Sequence, residues 1–487
     1  MSNVVFGNYT PEYVENDSIN VVLGVFFDGT LNNKVNTKER ENNTEIYKKN
    51  GIKTWSKRQL SEKKDTSYDN GWSNVARMSE ACNQDYGIYI EGIGTDNRKE
   101  DENGGFAFGS GDTGIRGKVR KGCEEVVKRI KEKLGNKTTV EVLTLDAYGF
   151  SRGAAAARNF VYEINKRKYD AHKKTYTKRR VSVTFYSDDD GKEIPLKELP
   201  PRGHLGLKLK EAGITVERIV VRFLGIYDTV SSYHPNFSVK PNFSNDIEEL
   251  HLDDITSARK IVHFIAADEH RENFDLTNVA YDTDARGKKQ VPVFYGEEKT
   301  FPGVHSDIGG SYLSETEWVR EIETDWTDKR DLKPLEDRLV AEGWYNRNQL
   351  SYIGGNAYFA LKGVRELLHT YSYIPLTFMT EKANDAKCEQ LSMMKIKKSY
   401  DFSKDVLLVR VEKKLREYVF KNGRPYDFKW VADLDKKYKN DKSNPNYIKE
   451  LEEQKDLRDL RNKYLHWSAD RYAIGMDPRS DRKRVVH

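Results

Sequence analysis

Residues 149–153 read Gly-Phe-Ser-Arg-Gly, directly after the apolar run Thr139–Tyr148 and directly before four alanines, Ala154–Ala157. A serine in a glycine-flanked turn between a strand and a helix is held out as a nucleophile. The turn strains the serine backbone, and the glycines let strand and helix approach each other. The chemistry this prepares is acyl transfer: Ser151 attacks an ester carbonyl, and the N–H of Arg152 at the helix N-terminus faces the developing oxyanion. At about 7% glycine and under 6% serine, a Gly-x-Ser-x-Gly string arises by chance on the order of 0.1 times in such a chain. The flanking strand and helix, rather than the bare string, separate it from a structural turn.

A serine nucleophile needs a base, and the base needs an orienting carboxylate, in the chain order Ser, Asp or Glu, His for this kind of elbow. Asp228 ends the apolar run Ile219–Tyr227 and is the first choice for the carboxylate, although a strand-terminal aspartate also caps turns. His305 lies in the glycine-flanked loop Phe301–Gly310 and is the candidate base. Asp307, two residues on, is the rival carboxylate or a brace for its own loop. His263 and His270 fall in a stretch read as a helix and are expected to pack or to support the site. A second oxyanion donor is expected from the Asp28-Gly29-Thr30 turn, whose glycine permits close approach. The same turn resembles the first motif of haloacid-dehalogenase phosphatases, but the position two residues before Asp28, where a nucleophilic aspartate is required, is Phe26.

These residues require a rim on which to meet. The runs 19–30, 87–93, 139–148 and 219–227 look like strands buried on both faces, and segments of helical spacing such as Gly117–Leu134 lie between them. The alternation predicts an α/β fold: a mostly parallel, α/β-hydrolase-like sheet flanked by helices, with ligands at the carboxyl ends of its strands. Residues 160–218 exceed a simple crossover and are expected to form a cap insertion. Residues 1–335 are expected to be the catalytic domain and 336–487 a mostly helical C-terminal region, with helices over 356–371 and 448–465. The glycine-rich loop 104–114 is either a cover over an acyl groove or a connection.

Bulk properties narrow the function classes. In 487 residues, 82 Lys plus Arg stand against 77 Asp plus Glu, and an excess of +5 is too small for a nucleic-acid footprint. No apolar stretch approaches the roughly 18 to 20 residues of a membrane-spanning helix. The first residues lack a basic stretch followed by an apolar run, so no cleaved secretory leader is expected. Three separated cysteines, Cys82, Cys123 and Cys388, give neither a disulfide framework nor a metal-binding spacing. No metal or organic cofactor is expected. The Lys-rich stretch 395–442 is either a lipid-attracting patch or, given its interspersed acids, a solvated surface.

Four blocks, Phe26–Asn33, Gly149–Ala154, Phe223–Val230 and Phe301–Gly310, together resemble the first family of type VI secretion lipase effectors, α/β-hydrolase-like proteins built around a GFSRGA elbow. Segments 263–274 and 465–468 carry weaker likenesses. The resemblance covers roughly residues 20 to 315. It implies a phospholipase A acting on membrane phospholipids of a rival bacterium, made without a signal peptide and delivered by the contractile machine to the target periplasm or membrane. It also implies a spike-protein partner and a cognate immunity protein. It agrees with the residue reading on Ser151 and His305 and favours Asp228. The alternatives from the residues alone are a carboxylesterase or thioesterase on a small acyl substrate, and a binding module whose serine only shapes a turn.

Overall fold

The computed structural model describes residues 18–51, 66–102, 111–178, 181–188, 191–194, 196–231, 243–279, 296–355, 358–472 and 476–487. Residues 104–110 of the glycine-rich loop lie outside them, as do 356–357 at the start of the expected helix 356–371. Six runs become strands: β1 (Ser18–Phe27), β2 (Gly87–Ile90), β3 (Thr139–Phe150), β4 (Thr215–Tyr227), β5 (Ile261–Ala266) and β6 (Gly296–Phe301). Their order in space is β6-β5-β4-β3-β1-β2, and each neighbouring pair is parallel. From β1 the chain steps outward to β2, then returns to the other side of β1 and continues through β3 to β6. The direction therefore reverses between β1 and β3, and the crevice at their carboxyl ends is where ligands of such sheets bind.

Both faces of the sheet are covered, which is why β1 to β5 read as nearly continuous apolar runs, whereas the edge strand β6, Gly-Glu-Glu-Lys-Thr-Phe, is polar and only partly buried. Val25, Phe27 and Ala147 pack under the helices Ile115–Leu134 and Arg152–Glu163. Phe26, Tyr148 and Phe150 point to the other face, against the helices Asn74–Ala81 and Tyr373–Asp385. The second cluster continues without a break into Leu415, Leu457, Leu465 and Trp467. No gap in packing coincides with residue 335 among the described residues.

The segment 160–218 completes the Arg152–Glu163 helix, adds short antiparallel strand pairs and a helix at Gly203–Glu211, and rejoins the sheet at Thr215 beside Thr139. It is thus rooted at the amino ends of the strands, opposite Ser151, and packs along the side of the Ile115–Leu134 helix through His204 to Glu124 at 3.0 Å. The C-terminal region contains the helices Val406–Lys421 and Pro445–Lys463 and also an antiparallel sheet of Glu315–Asp325, Phe359–Leu367 and Leu350–Gly354.

Two local expectations are corrected. Residues 359–367 form a strand, not a helix: Leu361, Gly363, Arg365 and Leu367 alternate inward. The buried Arg365, bonded to the carbonyls of Trp344, Arg461 and Leu465, hides the period of two behind a charge. His263 lies on strand β5 and His270 in the turn beyond it. A six-residue run buried throughout carries no periodicity to separate helix from strand. Across the basic stretch, Arg410, Lys414, Lys429, Lys437 and Lys442 pair with Asp456, Glu453, Glu450, Glu450 and Asp435, as in a solvated surface. No helix among the described residues is long and apolar enough to cross a membrane.

Candidate active site

Ser151 follows β3 directly at the switch point, with φ 58° and ψ −129°, a backbone conformation that costs a non-glycine residue on the order of 1–3 kcal/mol. The surroundings enforce it. A Cβ on Gly149 would lie 2.4 Å from the Gly153 carbonyl oxygen, and one on Gly153 2.2 Å from the Asp28 oxygen. Only glycines let the elbow wedge between β1 and the helix behind it. A serine before a helix ordinarily caps it, yet the Ser151 side chain makes no capping bond. Its hydroxyl is not used to build the turn.

Ser151 is tied to the end of the neighbouring strand: its N–H donates to the Tyr227 carbonyl at 3.1 Å, and its own carbonyl accepts from Val230 at 3.4 Å. Asp228 sits between those two residues. Its φ is 44°, and its carboxylate is wholly buried. Oδ2 accepts from His305 Nδ1 at 2.5 Å, while Oδ1 accepts from the Ala266 N–H at 2.9 Å and Arg484 Nη1 at 2.6 Å. His305 opens a short helix after β6. Its ring lies 4.6 Å from that of Phe150, the residue before the serine, and 5.1 Å from that of Phe274. The elbow serine and the Asp228–His305 pair therefore share one stretch of rim.

Burial pushes the Asp228 carboxyl up, but the Arg484 charge and the His305 bond outweigh it and hold the group well below the usual carboxylate range. Burial also lowers His305 from its ordinary value, and the Asp228 bond only partly opposes this. A neutral imidazole with its proton on Nδ1 leaves the Nε2 lone pair for a neighbouring hydroxyl.

The supporting residues divide by partner. Asp307 accepts from the Val304 N–H at 2.9 Å and from His466 Nδ1 at 2.7 Å, so it braces its own loop and engages a different histidine. His263 joins Glu298 at 2.8 Å to the Thr229 N–H at 3.1 Å, steadying the residue after Asp228. His270 bonds the Asp268 carbonyl at 2.9 Å. In the first turn, the Asp28 N–H donates to Ile90 O at 3.0 Å and the Gly29 N–H to the Asp28 side chain at 2.8 Å. The Thr30 N–H has no acceptor among the described residues, and the Arg152 side chain braces Thr30 Oγ1 at 2.7 Å. Burial lowers Arg152 to about 10.

Three residues of this region escaped the sequence reading. Glu269 accepts from Arg271 at 2.8 Å and from the His305 N–H at 3.3 Å, and Arg484 reaches Asp228 from the far end of the chain. Glu269 and Arg271 lie within the 263–274 stretch, which offered a weak signal; Arg484 offered none. A cavity of about 540 Å³ lies behind the rim, lined in part by Glu269, His270, Trp467 and Arg484 and not by Ser151 or His305. Among the described residues no group of three or more His, Cys, Asp or Glu side chains is placed to hold a metal ion.

A doubly wound parallel sheet with a strand, a strained serine and a helix at its switch point defines an α/β-hydrolase-like protein. The family model for the catalytic domain of Tle1-like phospholipase effectors of the type VI secretion system matches residues 22–329, and the chain belongs to that family. Among solved structures, the Tle1 effector bound to the VgrG spike from the type VI secretion system matches 96% of this chain and 94% of its own, with a TM-score of 0.56 and 16% identity. Agreement at that identity is agreement of fold. An uncharacterized protein from Pseudomonas aeruginosa matches 92% of this chain and 64% of its own at 17% identity and a TM-score of 0.39. No curated sequence relative matches the chain.

Proposed function

We propose that this type VI effector is a serine phospholipase A working through a Ser151, Asp228, His305 triad. His305, oriented by Asp228, takes the Ser151 proton. The serine oxygen attacks an acyl carbonyl of a phospholipid, and the N–H groups of Arg152 and Thr30 hold the oxyanion. The imidazolium then protonates the departing alcohol oxygen as the tetrahedral carbon collapses to an acyl-enzyme. Water, deprotonated by the same imidazole, releases the fatty acid and restores Ser151. The observation that carries this reading is the 2.5 Å His305 to Asp228 bond on the rim beside a strained serine whose side chain caps nothing.

Export rests on family membership. The VgrG spike bound by the fold relative motivates a spike protein as the loading partner here. A phospholipid membrane in the target periplasm is the proposed site of action, and a cognate immunity protein the proposed protection of the producer. The test is a substrate panel. Turnover of diacyl phospholipid vesicles with release of free fatty acid, together with fluorophosphonate labelling of Ser151, is expected. Turnover of short soluble esters alone would make the protein a carboxylesterase, and no labelling with no turnover would make it a binding module.

A further inference from the structure

Residues 476–487 return to the catalytic rim as a strip laid along the loop that follows β5. The Glu272 N–H donates to Asp477 O at 3.0 Å and the Arg479 N–H to His270 O at 2.9 Å. Further along, Leu276 donates to Val485 O at 2.9 Å, His487 to Leu276 O at 2.9 Å and Asn278 to His487 O at 3.0 Å. Side chains pin both ends of the strip to one carboxylate, Arg479 and His487 reaching Asp275 at 3.0 and 2.9 Å. Between these pins the Arg484 side chain, 6% exposed, turns inward. Nη1 donates to Asp228 Oδ1 at 2.6 Å and Nε to the Phe274 carbonyl at 2.7 Å.

A carboxylate removed from water stays ionised only if it is paired and hydrogen-bonded. His305 is neutral while it waits to act as a base, so it supplies a hydrogen bond to Asp228 but no charge. Arg271, the other buried guanidinium nearby, is engaged by Glu269 through both Nε and Nη2. Among the described residues Arg484 is left as the cation in contact with Asp228. A planar guanidinium bonded at two points also fixes direction, which a lysine ammonium does not. With Oδ1 held by Arg484 and Ala266, the plane of the carboxylate is set and Oδ2 is turned to the imidazole.

We propose that Arg484 is a positioning residue of the hydrolytic site: its fork between Asp228 and the Phe274 carbonyl keeps the carboxylate charged and aimed at His305. The inference rests on the triad reading above.

The test uses the full-length chain on phospholipid vesicles, comparing wild type, Arg484→Gln, Arg484→Lys, Ser151→Ala and the exposed neighbour control Lys483→Ala. Melting temperature, kcat, KM and the acidic limb of kcat/KM are read for each. The charged groups around His305 are Asp228 after β4, Glu269 and Arg271 after β5, Asp307 with His466 on its own side, and Arg484 through Asp228. Without the Arg484 charge the buried Asp228–His305 pair holds a proton more tightly, so the acidic limb of Arg484→Gln moves to higher pH. Its kcat falls on the order of tenfold or more, with KM within about twofold. Arg484→Lys keeps the charge but loses the fork, so kcat falls while the limb stays near that of wild type. Lys483→Ala behaves as wild type.

Folded Arg484→Gln with wild-type kcat and limb, beside an inactive Ser151→Ala, overturns the inference and leaves the triad standing. Should Arg484→Gln fail to fold, Arg484→Lys decides: lowered kcat supports the fork, and wild-type kcat overturns it. Retained turnover in Ser151→Ala overturns the triad reading, and the inference with it.

Discussion

His305 carries the pH dependence of the proposed reaction. Burial lowers it below its ordinary value, which is about 6.5 for an unperturbed histidine. The base is active when neutral, so kcat/KM should rise with pH along a limb whose midpoint lies below about 6.5 and be flat through neutrality. A limb centred well above that value would mean that the imidazole is not the buried one bonded to Asp228. Ser151 was legible because its string sat between a strand and a helix, and Asp228 and His305 because each ends or follows an apolar run where rim residues belong. Arg484 was not legible. Nothing in its local sequence signals that the chain returns to a carboxylate 256 residues earlier, since such a contact depends on the path of the whole chain.

At the scale of elements, the elbow is a steric arrangement before it is a chemical one. Gly153→Ala would drive a methyl group to 2.2 Å from the Asp28 carbonyl oxygen, and that oxygen is backbone that cannot rotate away. The cost is expected to be on the order of 2–5 kcal/mol, read as a fall in the urea midpoint; an unchanged midpoint would mean that the helix does not seat against β1 as described. The sheet strands were readable because burial on both faces leaves an unbroken apolar run. The strand 359–367 was not, because Arg365 stands where an apolar residue is expected and meets its needs through carbonyls that sequence does not reveal. β5 was not readable either, because a six-residue run interrupted by His263 is too short to tell a buried strand from a piece of helix.

Over the whole molecule, the catalytic sheet and the C-terminal region share one core. Phe26, Tyr148 and Phe264 belong to the same buried cluster as Phe378, Leu415 and Trp467. A chain ended at residue 335 would expose that face of the sheet, and it is expected to aggregate or to bind hydrophobic dyes strongly when expressed alone. A soluble, cooperatively melting 1–335 fragment would instead establish residue 335 as a domain boundary. The shift to charged, helix-like sequence after 335 was visible, whereas the packing that joins it to the sheet was not. That packing bears on function, because the C-terminal residues His466, Ser468 and Arg484 bond Asp307, Glu269 and Asp228 around the rim.

The most direct measurement compares the wild-type chain and Ser151→Ala for fatty-acid release from phospholipid vesicles, with melting temperatures recorded on the same samples. The hydroxyl neither caps the helix nor fills the core, so the variant should melt within a degree or two of wild type, or slightly higher. Its turnover should fall by at least about a thousandfold. Phospholipid hydrolysis persisting at a comparable rate in a folded Ser151→Ala protein would contradict the account.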